Sequence, residues 1–263
     1  VKRFQPSAET SVKERDFSGL VGGIHVNVCR SIMSRYRQPP YLYVDLHGGP
    51  GELAYGADRF DGSPLIAHRH LIEAGVDYEA LHFEHNPEVA AELRATLSRR
   101  GCPRGQVVAD TFERAFHEWL SAQQSSKRLG VVYSDPIDDP IPVRSFNMVA
   151  ERFPRVDLLA YVAANQHYKR PNGVRKARGL PFKQLYDDVV AVNKKVVLIR
   201  EPHDAMQWTF IFWTNWTDMK DWKAKGFHRL DTQQGQRIMA RLNWTEHELH
   251  EMANEPLPFE ETG

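Results

Sequence analysis

Four acids stand where apolar runs give way to turns: Asp45, Glu84, Asp110 and Asp135. In an open parallel sheet ligands bind outside the carboxyl ends of the strands, so acids at successive strand tips share one crevice. The first run, Tyr41-Leu-Tyr-Val-Asp45, passes straight into Leu46-His-Gly-Gly-Pro-Gly51. Gly48, Gly49 and Gly51 have no side chain, so backbone there can approach a nucleotide-like ligand closely. Asp45 is placed to accept a hydrogen bond from a ligand amine, and His47, inside the turn, to touch ligand or substrate. Glu84, in Leu81-His-Phe-Glu-His85, lies about forty residues on, where about twenty is usual for a ribose-binding acid. The Glu52–Gly62 stretch accounts for the excess. Glu84 would hold both ribose hydroxyls; the plainer role is a solvated acid favoured at a helix start. Asp110, in Val107-Val-Ala-Asp-Thr111, would accept from an adenine amino group or cap the next helix, and the two roles are compatible. A fourth tip, Ser134-Asp-Pro-Ile-Asp138, is where reacting groups would meet.

Beyond a fifth run, Asn165 to Gly179 concentrates Lys169, Arg170, Arg175, Lys176 and Arg178. Such a loop could hold phosphates, with Asn165, Gln166 and Tyr168 reaching bases; a solvated basic loop is the alternative. Twelve histidines invite a metal. His68 and His70 are two apart, so on a helix they face different ways, and no H-x-x-x-H or Cys-His set occurs. No metal site is expected.

Alternating elements must position these tips. Ile24, Val28, Ile32 and Tyr36 recur every fourth residue, a helix from Ile24 to Arg37 that Pro39-Pro40 stops. Strands are expected at Tyr41–Asp45, Tyr78–Glu84, Gln106–Ala109, Gly130–Ser134, Val156–Ala163, Lys195–Arg200 and Trp208–Thr214. Between them lie helices from Ser63, a cap with Pro64 at the first position, from Pro87 after the cap Asn86, from Thr111, from Val143 and from Leu180 to Val192. Glu52–Gly62 reads as a loop long enough to close over a ligand. Strand–helix alternation predicts an α/β fold, a doubly wound, mostly parallel sheet of seven strands. The last two strands read as an antiparallel edge hairpin. Domain organisation follows: a polar lead and helix over 1–40, a ligand-binding catalytic domain over 41–220 and a helical or frayed extension over 221–263. In that extension Thr245-Glu-His-Glu248 is a capping box.

Composition narrows the classes. The chain of 263 residues carries 34 basic and 34 acidic side chains, so any nucleic-acid surface is local. Two distant cysteines, Cys29 and Cys102, imply no disulfide framework and fit a reducing, cytoplasmic compartment. No apolar stretch approaches a membrane span, and no signal-peptide pattern is expected among the charged first residues.

The D-x-x-G-G-x-G turn resembles the first motif of class I S-adenosylmethionine-dependent methyltransferases, whose architecture is seven strands with a reversed last strand. The acid-proline pair Asp135-Pro136 resembles the D-P-P-Y motif of amino-methyltransferases acting on adenine or cytosine. In those enzymes the acid and the proline-fixed carbonyl accept from the exocyclic amine and turn its lone pair toward the methyl group. Ile137 and Asp138 replace the proline and aromatic residue, so the stacking ring is either missing or supplied from elsewhere, with Tyr133, Tyr161 and Tyr168 as candidates that ordinary packing would equally explain. Asp45 to Gly51, Asp61-Gly-Ser-Pro-Leu-Ile-Ala67, Phe83-Glu-His-Asn-Pro87, Ser134-Asp-Pro136 and Phe210-Ile-Phe-Trp-Thr-Asn215 with Met219-Lys220 are together similar to the three-Cys-motif partner proteins. The resemblance implies S-adenosylmethionine as cofactor, held by Asp45, His47, Gly48, Gly49, Gly51, Glu84 and Asp110. It does not settle the acceptor; on the D-P-P-Y likeness, methyl transfer is expected at Asp135 and Pro136, with adenine N6 in DNA the expected acceptor and DNA favoured over RNA as partner. Two other readings stay open: a nucleotide-sensing or partner-binding protein without catalysis, and a methyltransferase for small molecules or proteins.

Overall fold

Strands buried on both faces need unbroken apolar sequence, and this chain supplies it. The structure, a computed structural model, describes residues 10–124, 127–203, 207–218 and 220–243. Tyr41–Asp45 (β1), Gly130–Ser134 (β6) and Trp208–Thr214 (β9) are buried at every position. With Tyr78–Phe83 (β4), Gly105–Val108 (β5), Val156–Ala163 (β7), Val196–Arg200 (β8) and Phe227–Arg229 (β10) they form one sheet of eight strands, ordered β10-β8-β9-β7-β6-β1-β4-β5. Strands β5, β4, β1, β6 and β7 run parallel. Strand β9 runs antiparallel to both β7 and β8, and β10 antiparallel to β8. The α/β, mostly parallel architecture with a reversed strand is therefore present, and two details differ from expectation. The reversed strand lies inside the sheet between β7 and β8, because its mostly apolar sequence, buried at every position, needs cover on both sides. The edge beyond β8 is closed by a short eighth strand, too brief to register as a periodic pattern.

The chain runs β1, β4, β5 outward on one side and then crosses to β6 on the other side of β1. This reversal opens a crevice at the carboxyl ends of β1 and β6, where ligands of such sheets sit. Register sets Asp45 opposite Tyr133, so the Asp135 tip stands beside the glycine turn.

Helices cover both faces. One face is packed by Thr10–Leu20 (α1), which continues through a wide turn at Val21–Val26 into Asn27–Arg35 (α2), and by Ser63–Glu73 (α3). The other takes Phe112–Ala122 (α5), Val143–Arg152 (α6), Leu185–Val190 (α8) and Gln233–Asn243 (α9). Pro87–Arg99 (α4) packs Leu93 and Leu97 against Leu65 and Cys102. Residues 10 to 20, read as polar lead, form a helix because Phe17, Leu20, Val21 and Ile24 make an inward stripe, burying Phe17 fully. Each such side chain contributes about 1.5–3 kcal/mol.

Three further local expectations are corrected. The Glu52–Gly62 loop is a two-stranded ribbon, Glu52–Tyr55 (β2) with Asp58–Asp61 (β3). It is anchored by Arg99 and Arg100 on Glu52 (3.1 and 3.0 Å) and closed at its base by Gly62 N to Gly51 O, 2.7 Å. The basic loop is helical: Asn165–Lys169 is a wide turn and Arg170–Ala177 a helix (α7), which shortens the following helix to α8. Ser63 does not cap α3; Gly62 holds the cap position and the Ser63 hydroxyl is used elsewhere. Asn86 does cap α4, accepting from Glu88 N and Val89 N. The expected Thr245–Glu248 capping box and the tail beyond it lie outside the described residues. No helix of the described residues is long and apolar enough to cross a membrane.

Candidate active site

Asp45 is fully buried and takes three donors: Ser63 Oγ (2.6 Å), Tyr43 OH (3.1 Å) and His47 N (3.1 Å). Burial pushes its pKa up to about 6, against those hydrogen bonds. It fixes the start of the glycine turn and keeps no lone pair on the surface, which corrects its expected role as a direct acceptor for ligand. The turn is then tied to β4, with Gly48 N donating to Phe83 O (2.8 Å) and Gly49 N to Glu84 Oε2 (3.2 Å). Gly49 and Gly51 have φ of +59° and +84°, the left-handed region that favours glycine. A Cβ on Gly48 would press on Leu93 and His82, whereas one on Gly49 would enter open space. Gly48 is therefore small for packing, and Gly49 leaves room above the turn.

Glu84 also receives Asn86 N at 2.8 Å, so one carboxylate braces both the turn and the start of α4. Asp110 is engaged by Arg114, four residues on along α5, and by Thr111 N at 2.7 Å. The cap position of α5 is Thr111, so Asp110 does not cap that helix, and its carboxylate stays partly exposed beside Arg114.

At the fourth tip, Asp135 N donates to His47 Nδ1 at 3.2 Å, joining the glycine turn to the Asp135-Pro136 segment. Burial lowers the His47 pKa to about 4, so the ring is neutral. The Asp135 carboxylate accepts from Lys13 Nζ of α1 at 2.6 Å. That ammonium lies 4.7 Å above the Tyr161 ring and 3.8 Å from Glu14 Oε1. Burial disfavours the Lys13 charge, but Asp135 and Glu14 outweigh it and raise its pKa. Burial raises Glu14 to about 8, with Lys13 opposing and Asp135 and Asp45 adding to the rise. Asp45, Glu84 and Asp135 thus converge on one turn.

The wide turn after β7 clasps the segment from the other side. Gln166 Nε2 donates to Ile137 O and to Asp138 Oδ1 (3.2 Å). His167 is 2 % exposed, and its Nδ1 accepts from Ala163 N at 3.3 Å, which leaves the proton on Nε2. That Nε2 meets no hydrogen-bond partner of normal geometry; the Pro136 carbonyl and the Asp135 charge bear on the ring from the site side. Burial nonetheless lowers the His167 pKa.

Of the three tyrosines, Tyr161 alone is partly exposed; Tyr133 packs on Phe17 at 4.4 Å. Tyr168 is buried, donating to Asp188 Oδ2 (3.0 Å) and accepting from Ile141 N (3.1 Å), so it is a core pin and not a base contact. Asn165 is half-buried at the head of the wide turn, and Lys169 donates to Gln207 (3.1 Å). Arg170, Arg175, Lys176 and Arg178 lie on or just past α7, which buries none of its residues. His68 and His82 bond to each other at 3.1 Å, and His68 to Tyr78 OH at 2.8 Å.

Sequence reasoning did not single out Lys13, Glu14, Ser63 or His167 as site residues. Lys13 and Glu14 left a usable signal, since charges that continue the Phe17–Ile24 stripe face inward. His167 left none, because the wide turn that aims it has no sequence period.

No known sequence family and no curated protein matches the chain. Among solved structures it is similar to protein LPL1258 of Legionella pneumophila, at 12 % identity and a TM-score of 0.52 over 79 % of this chain and 89 % of that one. The N-terminal domain of human METTL16 in complex with SAH aligns at 10 % identity and a TM-score of 0.47, over 82 % and 74 % of the two chains. An rRNA methylase from Streptococcus thermophilus aligns at 10 % and 0.39, over 72 % and 95 %. At such identity the Legionella likeness establishes the fold and nothing finer, the mostly parallel α/β sheet already read from strand order.

Proposed function

We propose that this protein is an S-adenosylmethionine-dependent methyltransferase whose acceptor is the exocyclic amine of a nucleic-acid base, adenine N6 in DNA being the expected case. One observation carries the reading: the crevice where strand order reverses joins the glycine turn to the acid-proline tip through His47 and Asp135, 3.2 Å apart. The residues present fit the cofactor. Gly49 leaves space above the turn, and Glu84 stands at the neighbouring tip, where a ribose would present its hydroxyls. When bound, the cofactor supplies a methyl group already activated on a sulfonium. Asp135 and the Pro136 carbonyl accept the two amine hydrogens and direct the nitrogen lone pair. Lys13 Nζ holds the Asp135 carboxylate at 2.6 Å, and His47 fixes its backbone.

A second reading has its own support. Lys13 Nζ occupies hydrogen-bonding distance of Asp135, where an acceptor amine would be held. A binding protein without transfer would keep that contact permanently. Incubation with tritiated S-adenosylmethionine and mixed DNA and RNA separates the readings. Label in nucleic acid, lost in Asp135→Ala while cofactor binding by calorimetry persists, supports the enzyme. Cofactor binding without label in any acceptor supports the second reading.

A further inference from the structure

We propose that the arm from Arg170 to Val190 is a docking surface for single-stranded nucleic acid, with phosphates on its basic side chains and unpaired bases stacked on Phe182 and Tyr186. The inference deepens the proposed function and rests on it for the acceptor's class, but its evidence is separate. The arm has five basic residues, all between Arg170 and Lys183, and two acidic ones, Asp187 and Asp188, at its far end, in a molecule of zero net charge. Among the described residues, Arg170, Lys176, Arg178 and Lys183 form no ion pair.

The same arm collects exposed apolar surface. Val174, Leu180, Phe182, Tyr186 and Val190 are 53, 46, 55, 40 and 50 % exposed, five of the nine large apolar side chains so exposed among the described residues. Exposed apolar residues that cluster mark a contact surface, whereas scattered ones need no explanation. The arm is also built to hold them still. Asn172 brackets the Lys183 backbone, donating to its carbonyl (2.7 Å) and accepting from its amide (2.9 Å). Arg175 Nε donates to Pro181 O at 2.6 Å, and Leu180 N to Arg175 O at 2.9 Å. Phe182 is thus fixed between two tethered neighbours while over half exposed. Below it Leu185 and Val189 root α8 in the core, which turns Tyr186 and Val190 outward.

Charge selects a polyanion, and the rings select its form. Bases within a duplex are already stacked and offer no face to Phe182 or Tyr186; unpaired bases do. An anionic membrane would also attract basic and apolar residues, and an interfacial helix would gather its apolar residues on one face opposite its charges. Here the apolar residues are split over an eight-residue helix, an extended link and a six-residue helix. The arm also follows directly on the wide turn whose Gln166 clasps the Asp135 segment, so a strand lying on it would lead toward that tip.

The test is fluorescence anisotropy of the full chain without cofactor, using labelled oligonucleotides of about a dozen bases. DNA and RNA single strands and the matching duplexes are compared at low and high salt, with phosphatidylserine vesicles as a further arm. We expect single strands to bind at least about tenfold tighter than duplex, with affinity falling as salt rises. Phe182→Ala and Tyr186→Ala should each weaken binding about 5- to 100-fold with the salt dependence kept. Lys176→Gln with Arg178→Gln should flatten the salt dependence. These positions are exposed, so an unchanged melting temperature in all variants confirms folding. Duplex bound as tightly as single strand, no effect of both aromatic variants, or vesicle binding without oligonucleotide binding would overturn the proposal. Oligonucleotide binding without methyl transfer would overturn the enzyme reading and leave this surface intact; transfer to a small molecule without oligonucleotide binding would do the reverse.

Discussion

Lys13 and Glu14 come from the helix that sequence alone left as a polar lead, and the site's charge balance rests on them. Glu14 sits near Asp135 and Asp45, and burial holds it protonated up to about pH 8. A carboxyl whose folded pKa is raised binds more protons folded than unfolded between the two values. Its contribution to stability is therefore full below about 4.5 and lost as pH rises toward 8. The slope is at most about 1.4 kcal/mol per pH unit. Glu14→Gln should remove this loss, so the urea midpoint of the variant should exceed wild type at pH 8 and converge with it in acid. Parallel curves across that range would show that Glu14 does not titrate there. Lys13→Met tests the other half of the pair. Methionine keeps the packing over Tyr161 and removes the charge that faces Asp135. If Lys13 holds Asp135 ready for an acceptor, transfer should fall about 10²-fold or more, as for loss of one preorganised electrostatic contact. Cofactor affinity by calorimetry should stay within about twofold. Faster transfer in Lys13→Met would instead mark the ammonium as a competitor for the acceptor's place.

The helix that delivers Lys13 reaches the site through the wide turn at Val21–Val26, and two adjacent glycines there face different demands. A Cβ on Gly22 would fall 2.1 Å from the His70 ring, which is itself bonded to Ser18 Oγ at 2.7 Å. A Cβ on Gly23 meets nothing within 4 Å. Gly22→Ala should cost about 1–3 kcal/mol by overpacking and, by shifting α1, should reduce transfer as well. Gly23→Ala should be neutral or stabilising by up to about 1 kcal/mol, since glycine is the poorer helix former. Chemical denaturation compares them, and equal effects would mean that contact with α3 does not set the path of α1. Elements of this kind mark the limit of what was readable. Strands Tyr41–Asp45, Gly130–Ser134, Val156–Ala163 and Trp208–Thr214 are written as mostly apolar runs, and Asn86-Pro87 announces its helix. The wide turns at Val21–Val26 and Asn165–Lys169 break the 3.6-residue period locally, so periodicity missed both, and with the second of them His167. The β2–β3 ribbon has exposed tips and ion-pair anchors, so no apolar alternation betrays it.

At the scale of the molecule, strand order divides the labour. Strands β1 and β4 carry the glycine turn and Glu84, and β6 and β7 carry Asp135, Pro136 and the clasp of Gln166. The two halves meet at the crevice between β1 and β6, whose tips are joined by the 3.2 Å contact of His47 with Asp135. The tip acids were legible because a parallel sheet forces them together. Their individual duties were less so, since Asp45 and Asp110 engage Ser63, eighteen residues on, Tyr43, on the same face of the same strand, and Arg114, one helical turn on. The division predicts separable losses. Glu84→Gln keeps an acceptor for one of Gly49 N and Asn86 N, turns its amide NH2 on the other, and removes the charge proposed to face a ribose. Charge-assisted hydrogen bonds are worth about 1.5–3 kcal/mol, so S-adenosylmethionine affinity should fall about 10- to 100-fold. Oligonucleotide affinity should not move, because the arm beyond β7 lies on the other half. Raised salt should act in the opposite sense, weakening the oligonucleotide and sparing the cofactor. Calorimetry and anisotropy on the same two preparations decide the matter. If Glu84→Gln lowers both affinities together, the halves act as one unit, and the crevice cannot be parted into a cofactor side and an acceptor side.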